Sequence, residues 1–383
     1  MNAKIILLAG GGSGGHIYPL VAVCESLEKL AFSAGIDLEF HYLGRVDVFS
    51  VILSESNKVR MHDLLAAKVR RYFSLANIFD VPKFFFSIFQ ALWKVFWIMP
   101  DVIFSKGGPG ALPVVFAGWF YRIPIVIHES DAVPGATNVL SGRFAKKIAM
   151  GFERATNYFD PRKVVWTGNP IRKDLLGERY LQGSAKEELG FKGGEFLTLV
   201  LGGSQGSRRI NEFVLGNLDK IVEETQVLHQ TGADNFLEVK KLSRAALMGV
   251  SLKEELEHRY HPVPYLDKEL KGALIAADLV VARAGGGTIF EIAAFGKPAI
   301  LIPLDESAND HQRINALEFA KAGGGIIIEE ENLLPGIFLG QLKEILLDHS
   351  RLEKMSIASL GFFKPDAANQ IAGEIFSLLG FGP

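Results

Sequence analysis

Three glycine-rich stretches, each set between an apolar run and a helical segment, are the residues whose spacing points most directly to chemistry. They are Gly10-Gly11-Gly12-Ser13-Gly14-Gly15-His16, Gly202-Gly203-Ser204-Gln205-Gly206-Ser207 and Arg283-Ala284-Gly285-Gly286-Gly287-Thr288. A strand that ends in glycines and opens a helix presents backbone N–H groups at the positive end of the helix dipole, a ready anion site. Gly10, Gly12 and Gly15 also satisfy the G-x-G-x-x-G spacing of a dinucleotide site. That reading expects an acid at the end of the second strand. The sequence there is Tyr42-Leu43-Gly44-Arg45, with no acid before Asp47, although Arg45 would suit a 2′-phosphate. Glycines that only allow tight helix–strand packing are the plainer reading. In the third stretch Thr288 and Glu291 have capping-box spacing, so capping stands beside a ligand role.

The elements that would carry these loops alternate in the manner of doubly wound parallel sheets. Strands are predicted at Lys4–Ala9, Leu38–Leu43, Asp101–Phe104, Ile125–His128, Ala145–Met150 and Val164–Trp166. The pattern restarts with strands at Leu197–Leu201, Gln226–Gln230, Leu279–Ala282 and Ala299–Pro303. Helices are predicted from Pro19 to Leu30, through Asn211–Leu218, and from Ile289 to Phe295. The fold class is therefore α/β, with two Rossmann-like domains over 1–167 and 168–364. The boundary falls at the turn sequence Gly168-Asn169-Pro170. The three strand-end loops are expected to face an interdomain cleft.

The 383 residues suit two domains of nearly equal size. With 48% hydrophobic and 22% charged residues the composition is globular, and a net charge of -2 argues against general nucleic-acid binding. A lone cysteine, Cys24, excludes an intrachain disulfide framework, fits a reducing compartment and reads as a small buried hydrophobe. The apolar start is broken by glycines and His16, unlike a signal peptide, and no uncharged run of spanning length is present.

An ordered set of motifs carries a family resemblance. It comprises Gly10–His16 with Pro19, Gly168-Asn169-Pro170-Ile171-Arg172, Gly202–Gly206, Arg283–Thr288 with Glu291, and His311-Gln312 with Asn315-Ala316. From about Lys4 to Glu374 the chain resembles the MurG family of peptidoglycan N-acetylglucosaminyltransferases. The resemblance implies a GT-B fold whose C-terminal helix, about Ala367 to Leu379 within 365–383, packs back on the first domain. It implies transfer of N-acetylglucosamine from UDP-N-acetylglucosamine to the 4-hydroxyl of lipid I, giving lipid II. Another lipid or glycan acceptor for a UDP-hexose is the alternative, and an NADP-dependent oxidoreductase or a nucleotide-binding module a remoter one.

Residue by residue, the resemblance puts Ser13, Gly14 and Gly15 against the donor diphosphate and sugar, and Arg172 and Ser204 against the nucleotide or its phosphates. The Leu266 backbone would recognise uracil. The run Gly286, Gly287, Thr288, Ile289, Phe290 and Glu291 would follow the phosphates and ribose, with Glu291 accepting from the ribose hydroxyls. His311 and Gln312 would read the sugar. Asp131 replaces a family Asn that contacts the donor, in the run His128-Glu129-Ser130-Asp131, whereas Asn138 matches the family. Gly107-Gly108-Pro109-Gly110 replaces the usual Gly-Gly-Tyr loop.

The chemistry expected is an inverting in-line displacement with no metal ion and no cofactor. Backbone N–H groups, helix dipoles, Ser204 and Arg172 would stabilise departing UDP. His16, at a helix N-terminus that keeps it neutral, is one candidate base; a plain hydrogen-bonding role is its alternative. Glu129 is the second candidate, with orienting a partner or binding the acceptor as alternatives. Arg70-Arg71-Tyr72-Phe73 is followed by Lys83–Trp97, an aromatic, largely helical stretch with a polar stripe at Ser87, Gln90 and Lys94. It reads either as a core helix or as an anionic-membrane face spanning Arg70–Trp97, which would put the protein peripherally on the cytoplasmic side of the membrane.

Overall fold

A computed structural model describes residues 3–11, 14–46, 48–65, 76–108, 110–177, 180–203, 205–247 and 258–381. Ser13, Ser204, Arg70 and Arg71 lie outside these residues. The chain forms two compact units, Met1–Arg172 with Lys364–Pro383, and Lys173–Phe363.

Unit 1 is built on seven parallel strands: Lys4–Ala9 (β1), Leu38–Gly44 (β2), Arg60–Asp63 (β3), Val102–Ser105 (β4), Ile125–Glu129 (β5), Lys147–Met150 (β6) and Val164–Trp166 (β7). Their order is β3-β2-β1-β4-β5-β6-β7. The central strands are continuous apolar runs because helices cover both faces of the sheet. On one face Ile17, Leu20 and Leu27 of helix α1 (Gly14–Ala34) join Ile371 and Ile375 of the C-terminal helix Ala367–Leu378 in one buried cluster. Fully burying each such side chain contributes about 1.5–3 kcal/mol. The other face is covered by α3 (Ala76–Ile98) and α4 (Ala111–Phe120), which follow α2 (Val48–Asn57), and Ala91, Val95, Val114 and Val115 pack there.

Helix α1 begins five residues before the predicted start at Pro19, at Gly14. Proline suits a first turn, but here Gly14 and Gly15 open the helix, Pro19 lies inside it, and His16 falls in the first turn. The polar stripe of α3 faces the protein rather than water. Ser87 is fully buried, Gln90 Nε2 donates to the Asp63 carbonyl at 3.4 Å, and Lys94 Nζ donates to the same carbonyl at 2.6 Å. The aromatic side points outward: Phe85, Phe86, Phe89, Trp93, Phe96 and Trp97 are each at least half exposed.

Unit 2 has six parallel strands: Leu197–Leu201 (β8), Gln226–Gln230 (β9), Tyr260–Val263 (β10), Leu279–Ala282 (β11), Ala299–Leu301 (β12) and Gly325–Ile327 (β13). Their order is β10-β9-β8-β11-β12-β13. In both sheets the chain order reverses beside the first strand, β1 or β8, and the glycine loops leave the carboxyl ends of the strands there, where open α/β sheets bind ligands.

Candidate functional site

In unit 1 the site gathers at the ends of β1, β4 and β5. His16 is half-buried. A Cβ on Gly11 would stand 3.3 Å from His16 Nδ1, and one on Gly108 would stand 3.5 Å from Nε2. Two glycine backbones therefore close on the two ring nitrogens. Gly107 and Gly108 hold φ of 88° and 89°, a left-handed conformation that favours glycine. Burial first, and the Lys106 charge second, push the His16 pKa from 6.5 to about 4, while Asp131 pulls it upward. The ring is neutral at physiological pH, the form a base requires.

Lys106, which the sequence reading passed over, sits just beyond β4 and is 3% exposed. Its N–H donates to the Ala9 carbonyl at 2.8 Å, and its ammonium donates to Ser130 Oγ. Burial lowers its pKa, and Glu129 and Asp131 oppose that. The available signal was its position: a charged residue at the carboxyl end of a parallel strand, directly before two glycines. Lys106→Met is expected to raise the His16 pKa, because one positive neighbour is gone. The acid limb of kcat/KM then moves to higher pH. Turnover at neutral pH falls roughly tenfold, the size of one lost charge-assisted hydrogen bond. An unmoved acid limb in a folded variant contradicts this.

Glu129 is buried and occupied by its own loop. Oε1 accepts from the Asp131 N–H at 3.0 Å, and Oε2 accepts from Gly135 N at 3.2 Å and Asn138 Nδ2 at 2.9 Å. Burial and then Asp131 raise its pKa, against Lys106 and the hydrogen bonds. This geometry makes Glu129 an organiser of the loop before α5 (Ala136–Phe144). Asn138 serves the same end. It is 5% exposed, its Nδ2 also donates to the His128 carbonyl, and a Cβ on Gly107 would lie 2.4 Å from its Oδ1. Asn138 Nδ2 is thus committed to the His128 carbonyl and the Glu129 carboxylate. Asp131 remains half-buried beside His16.

The Gly168-Asn169-Pro170 turn closes the same region, with Asn169 Nδ2 donating to the Ser130 carbonyl at 2.9 Å. Arg172 follows, buried, with its guanidinium 4.6 Å from the centre of the Tyr18 ring. Gly14 is buried and Gly15 exposed in the turn that carries His16. The end of β2 does not resemble a dinucleotide ribose site. Tyr42 Oη donates to the Gly10 carbonyl at 3.2 Å, and a Cβ on Gly44 would lie 2.6 Å from that hydroxyl.

In unit 2 the second glycine loop ends on Ser207, whose Oγ accepts from Ile210 N to cap the helix Arg208–Gly216. The same Oγ accepts from Arg283 at 2.8 Å. Arg283 also donates to the carbonyls of Ile302 and Pro303 and pairs with Glu330, so it ties the second and third glycine loops to the end of β12. The third loop starts the helix Gly286–Ala294, whose N-cap is Gly285. Thr288 is therefore inside the first turn and is not the cap, because Gly286 and Gly287 already take helical conformation. Ile289 and Phe290 are at most 1% exposed, and their side chains pack in the core. Gly287 is exposed, and Thr288 and Glu291 are half-buried.

His311 and Gln312 open the helix His311–Lys321 after two left-handed residues, Asn309 and Asp310. His311 Nδ1 lies 2.7 Å from the Ala308 carbonyl. Gln312 Oε1 accepts from Leu304 N at 3.1 Å, and Nε2 is the donor of this side chain. Leu266 is 3% exposed, and its N–H donates to Gln230 Oε1 at 3.0 Å.

Two parallel α/β units with glycine loops at their strand ends are the frame of the GT-B enzymes. The fold is shared with Acinetobacter baumannii MurG, at TM-score 0.71 and 23% identity over 98% of this chain and 99% of that one. It is also shared with a Neisseria meningitidis UDP-GlcNAc 2-epimerase, at TM-score 0.66 and 15% identity over 96% and 98%. Residues 6–150 match the glycosyltransferase family 28 N-terminal domain, and residues 197–371 match its C-terminal domain. The UDP-N-acetylglucosamine–N-acetylmuramyl-(pentapeptide) pyrophosphoryl-undecaprenol N-acetylglucosamine transferase of Clostridium botulinum strain Hall is 35% identical over 319 residues, 82% of this chain and 83% of that protein. A second such transferase, from Bacillus cereus strain ATCC 10987, is 34% identical over 82% and 84%. The chain belongs to this MurG family of glycosyltransferases.

Proposed function

We propose that the protein transfers N-acetylglucosamine from UDP-N-acetylglucosamine to the 4-hydroxyl of lipid I, with inversion at the anomeric carbon. The observation that carries this reading is 35% identity to transferases of that description across 82% of the chain. The acceptor oxygen attacks the anomeric carbon as its proton passes to a base, and the bond from that carbon to the UDP oxygen breaks. His16 is the base. It is neutral before reaction, and Asp131, the neighbour that raises its pKa, stabilises the imidazolium as it forms. Lys106 and Glu129 hold the loop that carries Asp131.

Unit 2 takes the donor. Gly286 and Gly287 line the phosphates and Glu291 accepts from the ribose diol. Gln312 donates to the sugar with His311 beside it, and the Leu266 loop meets the base. Arg172, Ser13 and Ser204 contact the diphosphate, Arg172 supplying the charge through a planar fork 4.6 Å from the centre of the Tyr18 ring. The reading is tested by initial rates over a panel of UDP-sugars with a lipid I analogue. UDP-N-acetylglucosamine is expected to win by orders of magnitude in kcat/KM. A preference for another UDP-hexose or another acceptor would overturn it.

The outward aromatic face of α3 is the membrane contact. Trp93 and Trp97 lie 5.9 Å apart, Phe96 and Trp97 5.8 Å, and Phe96 reaches Tyr121, beside exposed Phe120 and Trp119, at 6.2 Å. No described helix is long and apolar enough to cross a membrane. A continuous aromatic surface rests in the headgroup region and keeps the protein peripheral, on the cytoplasmic leaflet where anionic lipid and lipid I are met.

A further inference from the structure

Gln230 closes β9, and both strands flanking β9 end in loops that the proposed function gives to the nucleotide. β8 pairs Leu201 with Gln230 and runs into Gly202-Gly203, and β10 pairs Val263 with Gln230 and runs toward Tyr265-Leu266. The Gln230 side chain is 4% exposed and reaches both ways. Its Nε2 donates to the Gly203 carbonyl at 2.9 Å, and its Oε1 accepts from Leu266 N at 3.0 Å. Gly203 holds φ of 85°, so its carbonyl belongs to the most permissive kind of backbone and gains from being pinned. Only a side chain with donor and acceptor on one planar group makes both bonds; glutamate lacks the donor and methionine lacks both. The strand end is fixed from the other side as well. Asn211 Nδ2 donates to the Thr231 carbonyl at 2.9 Å, and a Cβ on Gly206 would lie 2.1 Å from that oxygen.

We propose that Gln230 is a positioning residue that sets the distance between the loop for the diphosphate and the loop for the pyrimidine, so that a nucleoside diphosphate is measured across the ends of β8, β9 and β10. The proposal rests on the nucleotide reading of unit 2. It commits the Leu266 N–H to the protein and leaves the Leu266 carbonyl for the pyrimidine. A ligand that spans both loops benefits from their fixed spacing, and a ligand on one loop does not.

The test is UDP binding by calorimetry to the full chain, to Gln230→Met and to Gln230→Glu, with uridine and inorganic pyrophosphate titrated separately by chemical shift. Gln230→Met is expected to weaken UDP about tenfold, as loss of two neutral hydrogen bonds implies, with uridine and pyrophosphate within about twofold of wild type. The KM for the sugar nucleotide rises in proportion at unchanged kcat. Should Gln230→Met not fold, Gln230→Glu carries the test, since it keeps the bond to Leu266 and loses the one to Gly203; weaker UDP with retained uridine is again expected. Unchanged or tighter UDP binding overturns the proposal, tighter binding meaning that Gln230 competes with the base for the Leu266 N–H. Equal loss of all three ligands also overturns it. If the wild-type chain fails to bind UDP at all, the nucleotide reading itself falls.

Discussion

Replacing His16 by alanine is expected to lower kcat by about 10²–10⁴, the usual contribution of a positioned general base. UDP affinity stays within about twofold, since the donor is assigned to other residues. The wild-type acid limb of kcat/KM is set by the pKa of about 4 at His16 and disappears in the variant. The same shift links to stability. The folded pKa lies below the ordinary 6.5, so the neutral ring contributes stability that is complete above about pH 6.5 and is lost as pH falls through about 4. His229, buried in unit 2 and lowered to about 3, adds a term of the same sign. His16→Ala therefore loses less stability between neutral pH and pH 4 than the wild type does, read as melting temperature against pH. Turnover within a few-fold of wild type would remove His16 from the base role and return attention to Glu129, whose carboxylate must then leave three loop hydrogen bonds.

The second large effect is on the membrane face. Phe89, Trp93 and Trp97 are 69%, 66% and 67% exposed, and they lie on the side of α3 opposite its buried Ser87, Ala91 and Val95. Changing all three to serine removes a large apolar area without touching the core. Each aromatic is worth about 1–2 kcal/mol at an interface, so the triple change is expected to reduce partitioning onto anionic vesicles by about 10²–10⁴. The melting temperature and the turnover of a water-soluble acceptor analogue stay near wild type. Equal co-sedimentation of variant and wild type would show that this face does not meet lipid.

The sequence was most legible where burial is two-sided. β1, β7, β8, β9 and β11 fall on the predicted residues; all but the edge strand β7 lie inside their sheets and are buried over most of their length. The three strands that were missed are all edges. β3 reads Arg-Met-His-Asp, β10 carries Pro262 and β13 is three residues long, and an edge strand has no second neighbour to demand an apolar, donor-complete sequence. The site was legible where backbone conformation demands glycine and illegible where a buried side chain serves another residue. Lys106, Gln230 and Arg283 act by holding loops; Lys106 is marked by its place before two glycines, but nothing local to Gln230 or Arg283 distinguishes a buried amide or cation from a solvated one. The stripe on α3 shows the same limit. Its period was readable, but its direction was not, because the Asp63 carbonyl that receives Gln90 and Lys94 comes from another element.

The most direct measurement is transfer of radiolabelled N-acetylglucosamine from its UDP donor to a lipid I analogue, with the product's glycosidic linkage assigned by nuclear magnetic resonance. Label is expected in the lipid fraction as a β-linked sugar on the muramyl 4-hydroxyl, with UDP released in equal amount. Label released only as free or epimerised sugar, or retained in an α linkage, would contradict it.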